Sequence, residues 1–219
     1  MYMDMKREPV IGPSKARVAP PHRPPSSSCS GFSLIELLAT ALIIMILFTM
    51  YWGGNSGARQ KSRQAACAQN LQKLDVALEI FANEHTGRYP DKPGAKNSSE
   101  ALDTLVPKYT ADTSLFICPA SGDGSLPGGE SIASRRISYA YYMGRKAGGA
   151  DEPLVTDRQI DTKSKTPNQQ VFSISGKSPG NNHKAGGGNI LFCDGHVASC
   201  PPNSAFSLVL TQGVVLLNP

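Results

Sequence analysis

Glu36 stands out chemically because of its surroundings. The run Phe32–Trp52 reads FSLIELLATALIIMILFTMYW and carries no other charge. A carboxylate inside an apolar span costs several kcal/mol unless it is neutralised or paired, so it marks a functional position by default. A second constellation lies near the C-terminus, where His183, Asp194 and His196 offer the side-chain types of a metal site or of an acid–base pair. The third is the cysteines: Cys67, Cys118, Cys193 and Cys200, with Cys29 far upstream. Outside the cytoplasm disulfides persist, and four cysteines allow three pairings.

The elements that must position these groups begin with the apolar run itself. At about 1.5 Å per residue it makes roughly 31 Å of helix, the thickness of a bilayer core. It is apolar all round, whereas a buried core helix is shorter and keeps a polar stripe. Tyr51 and Trp52 close it with amphipathic rings suited to a membrane–water boundary. The full chain has 219 residues, 40% hydrophobic and 18% charged, with 21 Gly and 17 Pro. That composition excludes collagen-like, coiled-coil and multi-spanning membrane architectures. The net charge of +5 is unevenly spread: Lys6, Arg7, Lys15, Arg17 and Arg23 against Asp4 and Glu8 place +3 before the span, leaving +2 on the remaining 188 residues. Positive flanks stay cytoplasmic, so the sequence predicts a single-pass protein with its C-terminal body outside the inner membrane. Pro20-Pro21, Pro24-Pro25 and Ser26-Ser27-Ser28 read as a disordered leader, which stays long even if translation starts at Met3 or Met5. Arg135-Arg136 and Arg145-Lys146 are the only basic doublets in the body, so no nucleic-acid partner is expected.

A secretory signal peptide would have a shorter apolar region followed by a small-residue cleavage site. An uncleaved signal anchor fits physically. A third reading rests on Gly31-Phe32-Ser33-Leu34-Ile35-Glu36-Leu37-Leu38, which resembles the cleavage and methylation site of type IV prepilins and type II secretion pseudopilins. The resemblance implies that a prepilin peptidase cuts between Gly31 and Phe32 and methylates the new N-terminus. Glu36 then becomes the fifth residue of the mature chain. In a filament of parallel helices its carboxylate can pair with the Phe32 ammonium of a neighbouring subunit, and a buried pair of that kind fixes register more than it adds stability. Snorkelling of Glu36 to the interface is the alternative, and the two can hold at different stages.

Beyond Gly53-Gly54-Asn55-Ser56-Gly57, which should loosen or bend the chain, helix resumes over Ala58–Glu84. Cys67, Leu71, Leu74, Leu78 and Phe81 step by four, three, four and three along one face, opposite Arg59, Lys61, Arg63, Gln72, Lys73 and Glu79. Gly87 is the expected C-cap, with Pro90 beyond it. The segment from Asn70 to the Tyr89-Pro90 pair again resembles the long helix and following loop of major pseudopilins. Ser98 should cap a short helix through Val106, and residues 121–135 should be loop. Short strands are expected at Ile137–Met143, Leu154–Asp157, Val171–Ile174, Asn189–Phe192 and His196–Ser199. Asp194-Gly195 has the composition of a two-residue hairpin turn. The segment His183 to Val197 also resembles a His-…-Asp-Gly-His-Val element of prepilin-type proteins. That element commonly has nine residues between His and Asp; here there are ten.

The turn residues His183, Asp194 and Gly195 therefore have a structural reading beside the chemical one. Calcium binding in a C-terminal loop of major pseudopilins makes Asp157 and Asp194 candidate ligands by resemblance. Among cysteine pairings the two-residue turn disfavours Cys193–Cys200. Cys67–Cys118, tying helix to the following region, is preferred, with fully reduced cysteines as the alternative. The sequence thus predicts an α+β, pilin-like fold: a long N-terminal helix, half transmembrane and half amphipathic, packed on a small antiparallel sheet. Its parts are a cleaved leader (1–31), a transmembrane helix (32–52), a periplasmic half-helix (53–90) and a globular head (91–219). The expected role is that of a type II secretion pseudopilin with no catalytic residues and no required cofactor. Its partners would be the peptidase, sister subunits, the inner-membrane assembly platform and lipid. A type IV pilus subunit for adhesion or DNA uptake is the alternative, and a membrane-anchored hydrolase using His183 and Asp194 is the third class.

Overall fold

The structure, a computed structural model, describes residues 31–52, 55–175 and 180–219. The leader apart from Gly31, and the Gly53-Gly54 break, lie outside the described residues. The chain divides into two compact units, Met1–Thr49 and Met50–Pro219.

In the first unit α1 (Leu34–Trp52) starts where Ser33 lends its carbonyl to the Glu36 and Leu37 N–H groups, at 3.0 and 3.1 Å. No Gly or Pro interrupts it. From Leu34 to Tyr51 it is long and apolar enough to cross a membrane.

The second unit is built on α2 (Asn55–Glu84), which begins three residues before the expected position. Its buried line is Cys67, Leu71, Leu74, Leu78 and Ala82, while Phe81 packs only at the edge. Ala82 accepts the Gly87 N–H at 2.8 Å, and Gly87 takes φ +76°, ending the helix as the sequence indicated. A short helix, α3 (Ser98–Leu102), follows. Its cap is Asn97 rather than Ser98: the Asn97 side-chain oxygen Oδ1 accepts the Glu100 N–H at 2.9 Å, and the Glu100 carboxylate accepts the Lys96 N–H, also at 2.9 Å. Thr113–Phe116, just before Cys118, forms a 3₁₀ turn capped by Asp112.

Five antiparallel strands make one sheet: β1 (Tyr139–Met143), β2 (Pro153–Asp157), β3 (Gly188–Phe192), β4 (Val197–Cys200) and β5 (Val215–Leu217), in the order β4-β3-β2-β1-β5. Alternation sends Tyr139, Tyr141, Val155 and Leu191 into the core shared with α2 and α3. Ala140, Tyr142, Ile190 and Phe192 point to the other face, where loops carrying Phe172, Leu208 and Leu210 cover them. Both faces are therefore buried, and these strands read as apolar runs.

Three expectations are corrected. Val171–Ile174 is not a strand: the Val171 and Phe172 N–H groups both donate to the Pro202 carbonyl, at 2.8 and 3.2 Å, so one acceptor satisfies a buried loop. The tail beyond Val209, unassigned from sequence, supplies β5 as an edge strand beside β1. The β3–β4 connection is a three-residue loop, with Phe192 donating to His196 O at 3.0 Å and Gly195 donating back to Phe192 O at 3.0 Å. Only Gly195 in it has positive φ (+84°), which is the three-residue hairpin form. Cys200 consequently faces Gly188, not Asn189. The reason is tertiary: the Cys193 N–H donates to Glu152 O at 2.9 Å and its carbonyl accepts the Gly148 N–H at 2.8 Å, which draws Cys193 out of the ladder and into the loop.

Gly187, which leads into β3, has φ +81°, and a Cβ there would lie 2.0 Å from the Cys200 carbonyl oxygen. Gly187→Ala should cost about 1–3 kcal/mol of head stability. Thermal unfolding of the detergent-solubilised chain measures this, and an unchanged melting temperature refutes the reading.

Candidate functional site

At the N-terminal end of the described residues lie Gly31 and Phe32, the residues expected to flank the cut. Phe32 is exposed and Gly31 directly precedes it. Glu36 falls in the first turn of α1, where unpaired helix N–H groups favour negative charge. The surrounding apolar residues are bare: Leu34 is 80% exposed, Ile35 76% and Ile44 64%. The protein's own fold leaves this surface for lipid or for another chain.

The second locus is buried and polar. Asp157, at the end of β2, is fully buried. One carboxylate oxygen accepts the Asn189 N–H at 2.7 Å; the other accepts from the Asn182 side chain, with Cys67 Sγ 3.7 Å away. His183 Nε2 lies 3.1 Å from Asp157 Oδ2 and 3.4 Å from Cys118 Sγ. The sulfurs of Cys67 and Cys118 are joined as a disulfide, their Cα atoms 5.2 Å apart, within the ordinary range. The Tyr139 hydroxyl sits 3.3 Å from Cys67 Sγ. Burial, with Asp157 adding to it, pushes that hydroxyl's pKa well up and keeps it protonated. Cys67, Cys118, Asp157 and His183 each offer one ligand-type atom, and these four atoms lie within 4.8 Å of one another.

His183 opens a turn as the sequence suggested, its carbonyl accepting the Gly186 N–H at 3.0 Å, and its side chain has a second role that the sequence did not show. It precedes a short 3₁₀ turn (Lys184–Gly186), is 2% exposed, and points into the cluster. Asp194 and Gly195 do form the hairpin loop. There Asp194 Oδ1 is 2.5 Å from His196 Nδ1, and the His196 ring stacks on Phe192 at 4.2 Å. Asp157 lies beside the start of β3 and Asp194 beyond its end, on the order of 10 Å or more along the strand. The structure thus does not bring these two carboxylates to one ion, nor His183 and Asp194 to one acid–base pair. What sequence reasoning missed is the convergence of His183 and Asp157 on the two cysteines. No local pattern signalled it, since the partners come from segments far apart in the chain. A catalytic relay does not fit, because Nε2 faces both Asp157 and Cys118 while Nδ1 is buried without a partner.

A family model described as the prokaryotic N-terminal methylation motif matches residues 26–52. Over those residues the chain therefore carries the N-terminal methylation motif of type IV prepilin-like proteins, on a helix long and apolar enough to cross a membrane. No curated protein and no solved structure matches the chain.

Asp75 on α2 faces the β3–β4 loop, where Gly195 leaves room that a Cβ would fill at 2.8 Å from Asp75 Oδ2. Its Oδ1 is buried without a partner. Burial, then the charges of Glu79 and Asp194, push its pKa from 3.8 up to about 6. A carboxyl with a raised folded pKa contributes stability that is present below 3.8 and lost as pH rises through about 6. Asp75→Asn should therefore melt higher than the parent well above pH 6, with the difference closing as the pH falls. Parallel melting profiles at all pH values would refute this.

Proposed function

We propose that this protein is a structural filament subunit, a pseudopilin of a type II secretion machine, held in the inner membrane by α1 and released from its leader by a cut after Gly31. The observation that carries the reading is the single carboxylate, Glu36, five positions from that cut in a helix whose apolar surface is left bare. A bare apolar helix is suited to storage in lipid and then to lateral packing among sister helices. The cut creates a cation at Phe32, and packing of parallel helices with a small axial offset brings one subunit's Glu36 to another's Phe32 ammonium. The basic leader supports a cytoplasmic N-terminus and a periplasmic head. A disulfide between Cys67 and Cys118 is compatible with an oxidising compartment.

The mature protein purified from its host should carry a methylated Phe32 at its N-terminus by mass spectrometry; an intact leader in cells with active peptidase overturns the reading. Glu36→Val should be cleaved normally yet fail to assemble, because a buried unpaired ammonium costs about 3–5 kcal/mol at each subunit contact. Normal filaments from that variant would remove the pairing role.

A further inference from the structure

The four side chains around His183 have the composition of a metal centre. Two sulfurs, an imidazole nitrogen and a carboxylate oxygen are the donors a zinc-type ion takes in a closed, structural site. They come from four separate segments: α2, the loop after the 3₁₀ turn, the end of β2 and the loop before β3. Tetrahedral coordination at ordinary zinc bond lengths separates ligand atoms by about 3.3–3.8 Å. Two edges of such a tetrahedron are already near that spacing, His183 Nε2 to Asp157 Oδ2 at 3.1 Å and His183 Nε2 to Cys118 Sγ at 3.4 Å, and Cys67 Sγ lies 3.7 Å from the other oxygen of the same carboxylate, Oδ1. The sulfur–sulfur edge, a covalent bond in the disulfide, must open, which reduction accomplishes. The surroundings also hold the ligands in place. Asn189 N–H and the Asn182 amide orient the carboxylate, and the Asn182 amide also donates to Ser138 O at 2.8 Å.

We propose that, with Cys67 and Cys118 reduced, this locus binds one divalent zinc-type ion through Cys67, Cys118, His183 and Asp157. Metal and disulfide are then alternative cross-links of the same segments. In the thiol form, Zn²⁺ displaces two protons, one from each thiol, and forms two Zn–S bonds. Exchange with an external disulfide reverses this. The Cys67–Cys118 bond forms as the external S–S bond breaks; the external disulfide is reduced to two thiolates, and Zn²⁺ is released. The proposal does not depend on filament assembly, and a chain that never polymerised would still test it.

The probe is Co²⁺, a spectroscopic substitute for Zn²⁺, added to the detergent-solubilised full chain after reduction by a phosphine. Thiolate-to-cobalt charge-transfer absorption with tetrahedral ligand-field bands should saturate at one ion per chain and bleach on adding Zn²⁺. The oxidised chain, which needs no substitution and keeps the same fold, should show neither band. Absence of the charge-transfer band in the reduced chain overturns the proposal. His183→Ala should weaken Co²⁺ binding about tenfold or more, and unchanged affinity also overturns it. Replacing the other buried pair, with Cys193→Ser and Cys200→Ser, should leave the band in place; its loss would assign the metal elsewhere and overturn the proposal.

Discussion

The buried carboxylate of Asp157 is the constraint around which the head is organised. A carboxyl group buried away from water must be met by hydrogen-bond partners, because leaving its oxygens unpaired is costly. Here the donors come from several directions: the Asn189 N–H on β3, the Asn182 amide in the loop before it, and His183, with the Cys67 sulfur of α2 packed 3.7 Å from Oδ1. Satisfying one carboxyl group thus ties β2 to β3 and pins a loop that has no regular structure of its own. The neighbouring residue, Arg158, extends the same logic. It is buried, ion-paired to Asp123, and donates to the Ile137 carbonyl at 2.8 Å, which holds the glycine-rich loop against the end of β1.

Tyrosines fill the space around this network because they bury large rings and still offer a polar end. Tyr141 donates to the Pro90 carbonyl at 2.7 Å, and Tyr142 accepts from the Gln159 amide at 2.7 Å. Tyr89 donates to Glu79 at 2.5 Å, with the Cys193 carbonyl 3.2 Å away. Each hydroxyl ties a core ring to a loop or to α2. Burial raises all of their pKa values, so these donors stay protonated across the accessible pH range. The same burial, with Glu152 adding to it, pushes the Cys193 thiol up to about 12, which makes it a poor nucleophile.

What could be read from sequence divides along the range of the interactions involved. Glu36 and Gly31-Phe32 were legible because their chemistry is local: one charge in an apolar run, and a motif read by contiguous residues. The α2 stripe was legible because helical period and burial coincide from Cys67 to Leu78. The hairpin register was misjudged by one residue because Asp194-Gly195 is an ordinary turn signal, while the decisive bonds of Cys193 go to Glu152 and Gly148, outside the hairpin. Val171–Phe172 looked like a strand because both residues are buried, yet burial came from a loop closing over the far face of the sheet. The convergence at His183 was invisible for a related reason. Its partner Cys118 is 65 residues away, and no periodicity links a histidine in a glycine-rich loop to a cysteine preceding a proline.

The anchor obeys different physics from the head. In the head, apolar burial drives association and polar pairs choose among arrangements. Within a membrane, lipid tails are as apolar as leucine, so the hydrophobic effect gives helices no reason to choose one another. The face presented by Leu38, Leu42 and Met45 could slide past a copy of itself by a turn with little change in contact. On the proposed reading a lone carboxylate and a single new ammonium end that degeneracy, since one axial offset pairs both and every other offset strands both. The cation does not exist until the leader is removed, so the uncut chain lacks the group that defines the offset. Processing would then be the switch from a stored membrane protein to an assembling one, without requiring any change in the head.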